Sequence, residues 1–389
     1  MKFGSRQIIL GIVGAVVVCG LGVTLASGQA AQEPKPQMAE QVFKNVVVLK
    51  GIPVDEFMDT MGMFSASLTL TCSACHVEQS LESWDKYADD TPLKQTARRM
   101  FLMVTALNKN SNFKAGRTVT CWTCHHGDQL PESLPSLAVQ YQTPTEDPNE
   151  VFDVPGRRSD PTTPSVDQIF DKYIQALGGT QKVSSLNSFV GKGTYEGYDT
   201  EHEMVPMEVF AKAPNQRTTI VHMNLEGRHD DSVRTYDGSA GWIAGPDKPV
   251  PLMQLTGGNL EGAKIDAIVS FPTRVKQAFN QWQVSSTVID DRDVYIVQGT
   301  IAGKPPVKFY FDEESGLLVR LVRYSDSLVG RVPTQIDFAD YRDVSGVKMP
   351  FHWTTTWTDG QTNIELSELQ VNVPVDAAKF ARPAPVPKH

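Results

Sequence analysis

The sequence predicts a chain of mixed fold class, in which a mostly α-helical region precedes an α+β domain with a curved antiparallel sheet. Apolar residues recur at helical spacing in residues 54–61 and 93–107, prolines are frequent in residues 128–164, and short alternating runs begin near residue 188. These patterns divide the 389 residues into an N-terminal segment at 1–30, a helical domain at 38–132, a linker at 133–164 and a sheet domain at 165–385.

The N-terminal segment has the features of an export signal. Lys2 and Arg6 precede an uncharged run at residues 8–26, and small residues follow it. A run of this length just reaches the ~18 residues that can span a bilayer, so a retained anchor is the alternative. Lipid attachment at Cys19 is a third interpretation, although Val18 is larger than the residue that lipoprotein signals place there. All three predict that the rest of the chain is periplasmic or lies on the periplasmic face of the membrane.

In the helical domain, four of the five cysteines form two pairs of identical spacing, each followed by a histidine. The pentapeptides are CSACH at residues 72–76 and CWTCH at residues 121–125. C-x-x-C-H is the attachment signature of haem c, in which two thiols on one helical turn bond the porphyrin and the adjoining imidazole binds iron. The sequence therefore predicts two covalently bound haem c groups, and their attachment residues and proximal ligands are Cys72, Cys75, Cys121, Cys124, His76 and His125.

Two other uses of paired cysteines fit less well. A thioredoxin-like dithiol needs a βαβ context that the pattern does not show, and it gives no reason for a histidine after each pair. A single zinc site with four thiolates has no use for His76 and His125. Its usual spacing between pairs of ~15–20 residues is also shorter than that found here.

Methionines on the helix before each motif are candidates for the sixth iron ligand. The helix predicted from Pro53 carries Met61, which we favour for the first haem, with Met58 and Met63 as rivals. The helix predicted from residue 90 to about Asn108 has a buried stripe that includes Leu93 and Met100. Met100 is favoured for the second haem and Met103 is its rival, although a methionine on a helix commonly serves only to fill a core.

These segments resemble the cytochrome c subunit of photosynthetic reaction centres. The resemblance covers residues 40–132 and is carried by VFKNVVVLKGIP at 42–53, EFMDTM at 56–61, the first pentapeptide and VTCWTCHHG at 119–127. It is closest to the C-terminal half of that tetrahaem family, which re-reduces the photo-oxidised special pair. The resemblance implies that His76 and His125 are proximal ligands and selects Met61 as the distal ligand of the first haem. It also places Met100 where a distal ligand lies in the family's other helix-and-motif unit.

The chain departs from this family because it carries two motifs instead of four. In the family, one haem of the C-terminal half takes a histidine from the half that is missing here. The second iron must therefore use Met100, Met103, a residue of a partner protein or a distant histidine, for which the candidates are His202, His222, His229 and His352.

The sheet domain begins with a predicted helix at residues 165–177 and continues as short strands with one helical interruption at about 260–282. The succession of its predicted strands resembles that of periplasmic lipoprotein-sorting proteins, which are incomplete barrels that can hold an acyl chain. No hydrolase, phosphate-binding or metal-ligand motif is present in this half. Binding of a lipid or of a protein partner is therefore the predicted role.

The predicted function is electron transfer between a membrane donor and an acceptor such as a photosynthetic reaction centre. A respiratory or extracellular electron-transfer role is the alternative, and a dihaem peroxidase, which needs an iron with an open coordination position, is a third interpretation. The net charge of −9 argues against a nucleic-acid partner and suits a basic redox partner. The chain is accordingly expected to be an electron carrier and not an enzyme.

Overall fold

A computed structural model describes residues 35–110, 118–131, 163–225 and 228–386 of the chain. The export segment and most of the predicted linker lie outside these described residues. From Pro36 onwards the described residues form one compact unit, so the helical region and the sheet pack against each other. Among the described helices, none has the length and hydropathy needed to cross a bilayer.

Within the described residues, the helical region contains five α-helices and precedes three more that accompany the sheet. Their bounds are α1 Ala39–Val42, α2 Val54–Leu68, α3 Cys72–Cys75, α4 Pro92–Lys109, α5 Cys121–His125, α6 Val166–Ala176, α7 Thr180–Ser184 and α8 Gly257–Val269. Short 3-10 helices lie at Glu78–Leu81, Trp84–Ala88, Tyr198–Thr200, Pro272–Ala278 and Ala377–Phe380.

Thirteen antiparallel strands form a single sheet. They are β1 Ser188–Gly197, β2 Val205–Lys212, β3 Gln216–Leu225, β4 Arg228–Tyr236, β5 Gly241–Ala244, β6 Met253–Gln254, β7 Gln281–Ile289, β8 Arg292–Thr300, β9 Val307–Asp312, β10 Leu318–Ser327, β11 Gly330–Val344, β12 Val347–Trp357 and β13 Gly360–Val371. The strand order is β6-β5-β4-β3-β2-β1-β13-β12-β11-β10-β9-β8-β7. The sheet therefore consists of two meanders joined by the β1–β13 pair, in which Phe189 lies opposite Val371.

The sheet is open, because its edge strands β6 and β7 are not paired with each other. The connection between them is α8 followed by a 3-10 helix, and α8 contacts β3, β4 and β10 across the concave side of the sheet. Gly258 permits this close packing, since a Cβ atom there would lie 2.4 Å from the Cα of Ser325 in β10. The helix therefore contacts strands of both meanders.

The main hydrophobic core lies between the sheet and its helices. Phe309 and Phe311 of β9 are almost fully buried, and Phe311 packs against Phe170 and Tyr173 of α6 at ring-centroid distances of 5.5 and 5.1 Å. A much smaller cluster holds the helical region together and includes Phe101 of α4 and Met63 of α2.

The predicted fold class is confirmed, with a mostly helical region followed by a large antiparallel sheet. The prediction missed β6 and β7, and its helical interruption extended into the beginning of β7. Apart from Trp282 and Val284, β7 offers mainly polar residues, and it is an edge strand with no residue fully buried. The alternation that marks a half-buried strand is therefore weak in this segment.

Candidate functional site

The first pentapeptide forms a single helical turn, and its histidine follows directly. Thr71 precedes the turn in an extended conformation, and His76 ends it by donating its backbone N–H to the carbonyl oxygen of Cys72. The Oγ1 of Thr91, the residue that caps α4, donates to the carbonyl oxygen of Cys75 at 2.5 Å. The start of the long α4 helix thus holds the turn in place.

The His76 imidazole is oriented by the segment that follows it. Its Nδ1 lies 3.2 Å from the carbonyl oxygen of Tyr87, and the two rings pack with centroids 4.8 Å apart. A hydrogen bond from Nδ1 to a backbone carbonyl selects the tautomer whose Nε2 carries a free lone pair. Burial, followed by the charge of Lys94, lowers the pKa of His76, which also favours the neutral, iron-binding form.

The second pentapeptide repeats this arrangement. Thr120 caps α5 through a reciprocal pair of bonds with Thr123, and the Nδ1 of His125 lies 2.9 Å from the carbonyl oxygen of Asp128. His126 follows with φ of 50°, which turns the chain away from the helix and leaves the His126 side chain exposed. Both motif histidines therefore have Nδ1 bound to a backbone oxygen and Nε2 available.

None of the four motif cysteines forms a disulfide bond. Within the described part of the chain, no three His, Cys, Asp or Glu side chains lie close enough to share a metal ion, so the two pairs do not form one cluster. Burial raises the pKa of Cys72 and Cys75 and raises that of Cys121 to about 11. Two separate pairs of protonated thiols are compatible with two separate thioether attachments.

The candidate methionines differ in their surroundings. Met63 is buried in the small cluster of the helical region, and Met58 lines a cavity beneath the sheet. Met61 is partly buried beside that small cluster. The predicted buried stripe of α4 is wrong in part, because Leu93 and Met100 are 47% and 42% exposed.

Exposed apolar side chains collect around the two pentapeptides. Met103 and Leu102 lie next to Met100 on α4, and Trp122 lies within the second pentapeptide. Trp84 is also exposed and stacks on Tyr87, the residue whose carbonyl oxygen meets His76. A soluble protein rarely leaves so much apolar surface in one region without something to cover it. The thiols, the oriented imidazoles and this apolar surface fit a bound porphyrin at each motif.

The candidate histidines outside the motifs lie in the sheet domain. His222 of β3 is bound to Asp231, with Nδ1 2.7 Å from Oδ1, and His202 is exposed after the 3-10 helix that follows β1. His229 and His352 lie in β4 and β12. Ligation of the second iron by any of these four histidines remains a prediction.

Two carboxylates of α2 connect the helical region to the sheet. Asp55 accepts hydrogen bonds from the backbone N–H of Thr256 at 2.6 Å and from its hydroxyl at 2.8 Å, and thereby holds the residue that precedes α8. Asp59 accepts from Asn259 and Ser325, each at 2.9 Å. Burial raises the pKa of Asp55, and it raises that of Asp59 to about 6.

No local sequence pattern predicts that these two acids are buried. Their position in the first turns of α2 suits a surface helix start, where acidic residues are favourable. Their partners lie about 200 residues away, so no local pattern reveals the contact. Tyr87 was also not predicted as a site residue, because its contribution to His76 comes through its backbone oxygen and its ring position.

Two turns between strands of the sheet lie close to the pentapeptides. Val329 and Val332, at the β10–β11 turn, pack in the same cluster as Cys121 and Met63. Asp359, at the β12–β13 turn, approaches Gly62 of α2 and contributes to the raised pKa of Cys72. The helical region is therefore built partly on sheet residues.

Comparison with known proteins identifies the helical region. Residues 23–175 match the model of a family described as "Photosynthetic reaction centre cytochrome C subunit". This part of the chain is similar to those subunits. The resemblance predicted from residues 40–132 is thus confirmed.

Individual relatives agree with the family match. The photosynthetic reaction center cytochrome c subunit of Thermochromatium tepidum is 37% identical over 106 residues, and that of Rubrivivax gelatinosus is 35% identical over 105 residues. The match covers 26% of this chain in both cases, and 25% and 27% of the respective relatives. The chain therefore spans about a quarter of the length of the curated relatives that it matches.

Among solved structures, a LolA superfamily protein from Nitrosomonas europaea has 13% identity and a TM-score of 0.38, covering 56% of this chain and 98% of that one. A lipoprotein-sorting protein domain from Vibrio parahaemolyticus has 8% identity and a TM-score of 0.35, covering 54% and 97%. The fold assignment of the sheet domain rests on its own strand order.

Proposed function

We propose that this chain is an electron-transfer protein with two covalently bound haem c groups. Cys72 and Cys75 would hold the first group and Cys121 and Cys124 the second. His76 and His125 would be the proximal iron ligands. The similarity of the helical region to reaction centre cytochrome c subunits supports a cytochrome, and the assignment of each ligand is our proposal.

One repeated arrangement carries this proposal. In both pentapeptides the thiols lie on a single helical turn, and the following histidine has Nδ1 at hydrogen-bond distance from a backbone oxygen. A dithiol or a structural zinc site gives no reason for orienting an additional imidazole in this way twice. Proximal haem ligation explains both histidines at once.

When bound, haem c supplies a reversible one-electron iron couple, whose potential rises when methionine is the sixth ligand. The chain's own residues would bind, orient and shield this group. Met61 is our candidate for the sixth ligand of the first haem because the family resemblance selects it, whereas Met63 is buried in the small cluster of the helical region. Met100 is our candidate for the second, and its exposure leaves the sulfur accessible.

The partners proposed for this cytochrome are redox proteins at the membrane. Similarity to the reaction centre subunits supports a photosynthetic reaction centre as the acceptor, and a respiratory complex is the alternative. The chain matches only about a quarter of the length of those relatives. The other three quarters of each relative, including any partner-binding surface there, have no counterpart in the matched residues. We place the protein in the periplasm or on the periplasmic face of the membrane, in keeping with the export signal predicted at residues 1–30.

The ligand proposal can be tested by near-infrared spectroscopy of the oxidised full chain, produced with haem attachment machinery. We expect methionine-to-iron bands in the spectrum of the unaltered protein. In Met61→His, the spectrum should change and the reduction potential of the first haem should fall. In Met100→His, the same two changes should affect the second haem. Met204→His, at an exposed methionine outside the helical region, is the matched control.

Three results would count against the proposal. Spectra unchanged in both variants would show that both methionine assignments are wrong. High-spin bands with turnover of peroxide would favour the peroxidase interpretation instead. A colourless protein whose mass equals that of its polypeptide would exclude a cytochrome altogether.

A further inference from the structure

Lys94 contacts the same backbone oxygen that orients His76. Its Nζ donates to the carbonyl oxygen of Tyr87 at 2.7 Å, and the Nδ1 of His76 lies 3.2 Å from that oxygen. Lys94 also donates to the carbonyl oxygens of Ala88 at 3.1 Å and Asp89 at 3.2 Å. These three bonds use every donor of the ammonium group and fix it close to the imidazole.

The charge of Lys94 is shielded from water and only weakly compensated. Its side chain is 15% exposed, and its ion pair with Asp90 is long, at 3.9 Å. Asp90 is bound more closely by Arg98, at 2.8 Å. Lys94 also lies in the first turn of α4, where the helix dipole opposes a positive charge. A charge in such a place acts more strongly on its neighbours than a charge on the surface does.

His76 is the neighbour on which this charge acts. After burial, the charge of Lys94 is the largest influence that lowers the pKa of His76, ahead of the charge of Arg98. The carbonyl oxygen of Tyr87 also serves two donors, so the ammonium group competes with Nδ1–H of His76 for its electron density. Lys94 therefore affects the imidazole both through its charge and through the shared oxygen.

The second motif has a different arrangement. The Nδ1 of His125 lies 2.9 Å from the carbonyl oxygen of Asp128, a shorter distance than the corresponding one in the first motif. Among the residues that the structure describes, no lysine or arginine side chain donates to that oxygen. The second motif is therefore an internal reference for the first.

We propose, on the basis of the proposed function, that Lys94 is a positioning residue for electron transfer, which raises the reduction potential of the first haem through His76. A fixed positive charge disfavours the oxidised form, because ferric iron carries one more positive charge than ferrous iron. A weaker hydrogen bond from Nδ1 makes the imidazole a poorer electron donor to iron, which also favours the reduced form. Both effects have the same sign.

The proposal can be tested by a redox titration of the full chain followed by NMR, in which the haem methyl signals at each motif report the oxidation state of that haem. Lys94→Gln removes the charge and keeps an N–H donor. At the potential where the first haem of the unaltered chain is half reduced, its ratio of reduced to oxidised form should fall about threefold to tenfold. This fall corresponds to about 30–60 mV, at 59 mV per tenfold change. The ratio for the second haem should change by less than about 1.5-fold.

Two further variants are matched controls. Lys94→Arg keeps the charge and should hold the ratio for the first haem within about twofold of that in the unaltered chain. Lys86→Gln removes the same charge from a 50% exposed side chain that pairs with Asp89, and should change the ratio by less than about 1.5-fold. The near-infrared bands of the unaltered chain should persist in all three variants, which would show that the iron ligands are unchanged.

A purely structural role of Lys94 predicts the opposite sign. If Lys94 only held the 3-10 helix at Trp84–Ala88 in place, its loss would lengthen the bond between His76 and Tyr87, and the Nδ1–H proton signal of the reduced protein would move upfield. We expect this signal to move downfield in Lys94→Gln, because the Tyr87 oxygen no longer faces an ammonium group. An upfield shift would overturn the proposal, as would an unchanged or raised ratio for the first haem, or an equal fall in Lys86→Gln.

The haem signals separate this proposal from the proposed function. A chain without haem signals would refute both, whereas a chain with two haems whose ratios do not depend on Lys94 would refute the role of Lys94 alone. If Lys94→Gln does not fold, the reduced unaltered chain still provides a test. The Nδ1–H proton of His76 should resonate at higher field than that of His125, and the reverse order would overturn the proposal.

Discussion

The two halves of the described chain bury their apolar residues in different ways. The sheet and its helices share one large core, and only four large apolar side chains in residues 163–386 are exposed. Residues 35–131 form a shorter region, yet nine of their large apolar side chains are exposed. A region that leaves more apolar surface uncovered over fewer residues lacks a sufficient core of its own.

The difference indicates two sources of stability. The sheet domain is held by its own side chains, as in most domains of its size. The helical region depends on what is packed against it, which includes Val329 and Val332 of the sheet and, in our proposal, two porphyrins. Covalent attachment suits such a region, because the group that covers its apolar surface cannot dissociate.

The largest expected effect comes from removing the attachment cysteines. Cys72→Ala together with Cys75→Ala should remove one haem from each chain, and the corresponding double substitution at Cys121 and Cys124 should remove the other. We expect hydrogen exchange to accelerate strongly in α2 and α4 and to change little in β9 and β10, because only the helical region would lose a covering group. Mass spectrometry of the intact chain and of its exchanged peptides measures both effects.

Ser73→Ala within the first pentapeptide is the control, since it leaves both thiols and the histidine in place. An unchanged mass in the cysteine variants would show that no haem is attached there. Equal loss of protection in both halves would show that the contrast between them is wrong.

A smaller effect is expected at the connection between the two halves. Asp55→Ala removes the acceptor of two hydrogen bonds from Thr256, the residue that precedes α8. We expect the free energy of unfolding to fall by about 1–3 kcal/mol, measured by denaturant titration. Asp85→Ala, at a 76% exposed side chain paired with Lys44, is the matched control and should change it by less than about 0.5 kcal/mol. Equal values for the two variants would show that the α2–α8 contact contributes nothing.

The smallest effect concerns pH. Burial raises the pKa of Asp55 above its ordinary value of 3.8, so the folded chain keeps this proton to a higher pH than the unfolded chain does. The resulting stabilisation is complete when the pH is below the pKa of Asp55 in the unfolded chain. It is lost as the pH rises through the pKa of Asp55 in the folded chain. Relative to Asp55→Asn, which does not titrate, the unaltered chain should therefore become less stable as the pH rises from about 4 to 7.

Denaturant titrations of both proteins at several pH values in that range measure this difference. The stability difference between Asp55→Asn and the unaltered chain should be smaller than the loss of stability in Asp55→Ala, because asparagine retains an oxygen that can accept from Thr256. A difference that stays constant with pH, or that grows in favour of the unaltered chain, would contradict the raised pKa.

The sequence predicted those parts of the molecule whose signals are local. The capping Thr91, the following Pro92 and the apolar spacing predicted α4 nearly to its observed ends. The two pentapeptides were found because their chemistry fixes both residue types and spacing within five positions. The dipeptides Asp237-Gly238 and Ser315-Gly316 are typical of hairpin turns, and both glycines adopt a positive φ in the structure.

Features that depend on distant packing could not be predicted in this way. Asp55 and Asp59 looked like surface acids, and only the position of α8 makes them buried acceptors. Arg217 of β3 and Arg234 of β4 likewise belong to strands whose pattern is ordinary, and their proximity follows from the β3–β4 register. The hairpin of β7 and β8 was missed partly because its turn uses Asp290 and Asp291, both at positive φ, where glycine or asparagine is more usual.

The β1–β13 pair also has a consequence for how the chain is made. Every other neighbouring pair in the sheet joins consecutive strands, whereas Phe189 and Val371 are separated by most of the domain. Hairpins between consecutive strands can form early, and a contact between distant segments must wait until the chain between them is ordered. During synthesis, β1 therefore keeps one row of backbone N–H and C=O groups without a strand partner until β13 has left the ribosome.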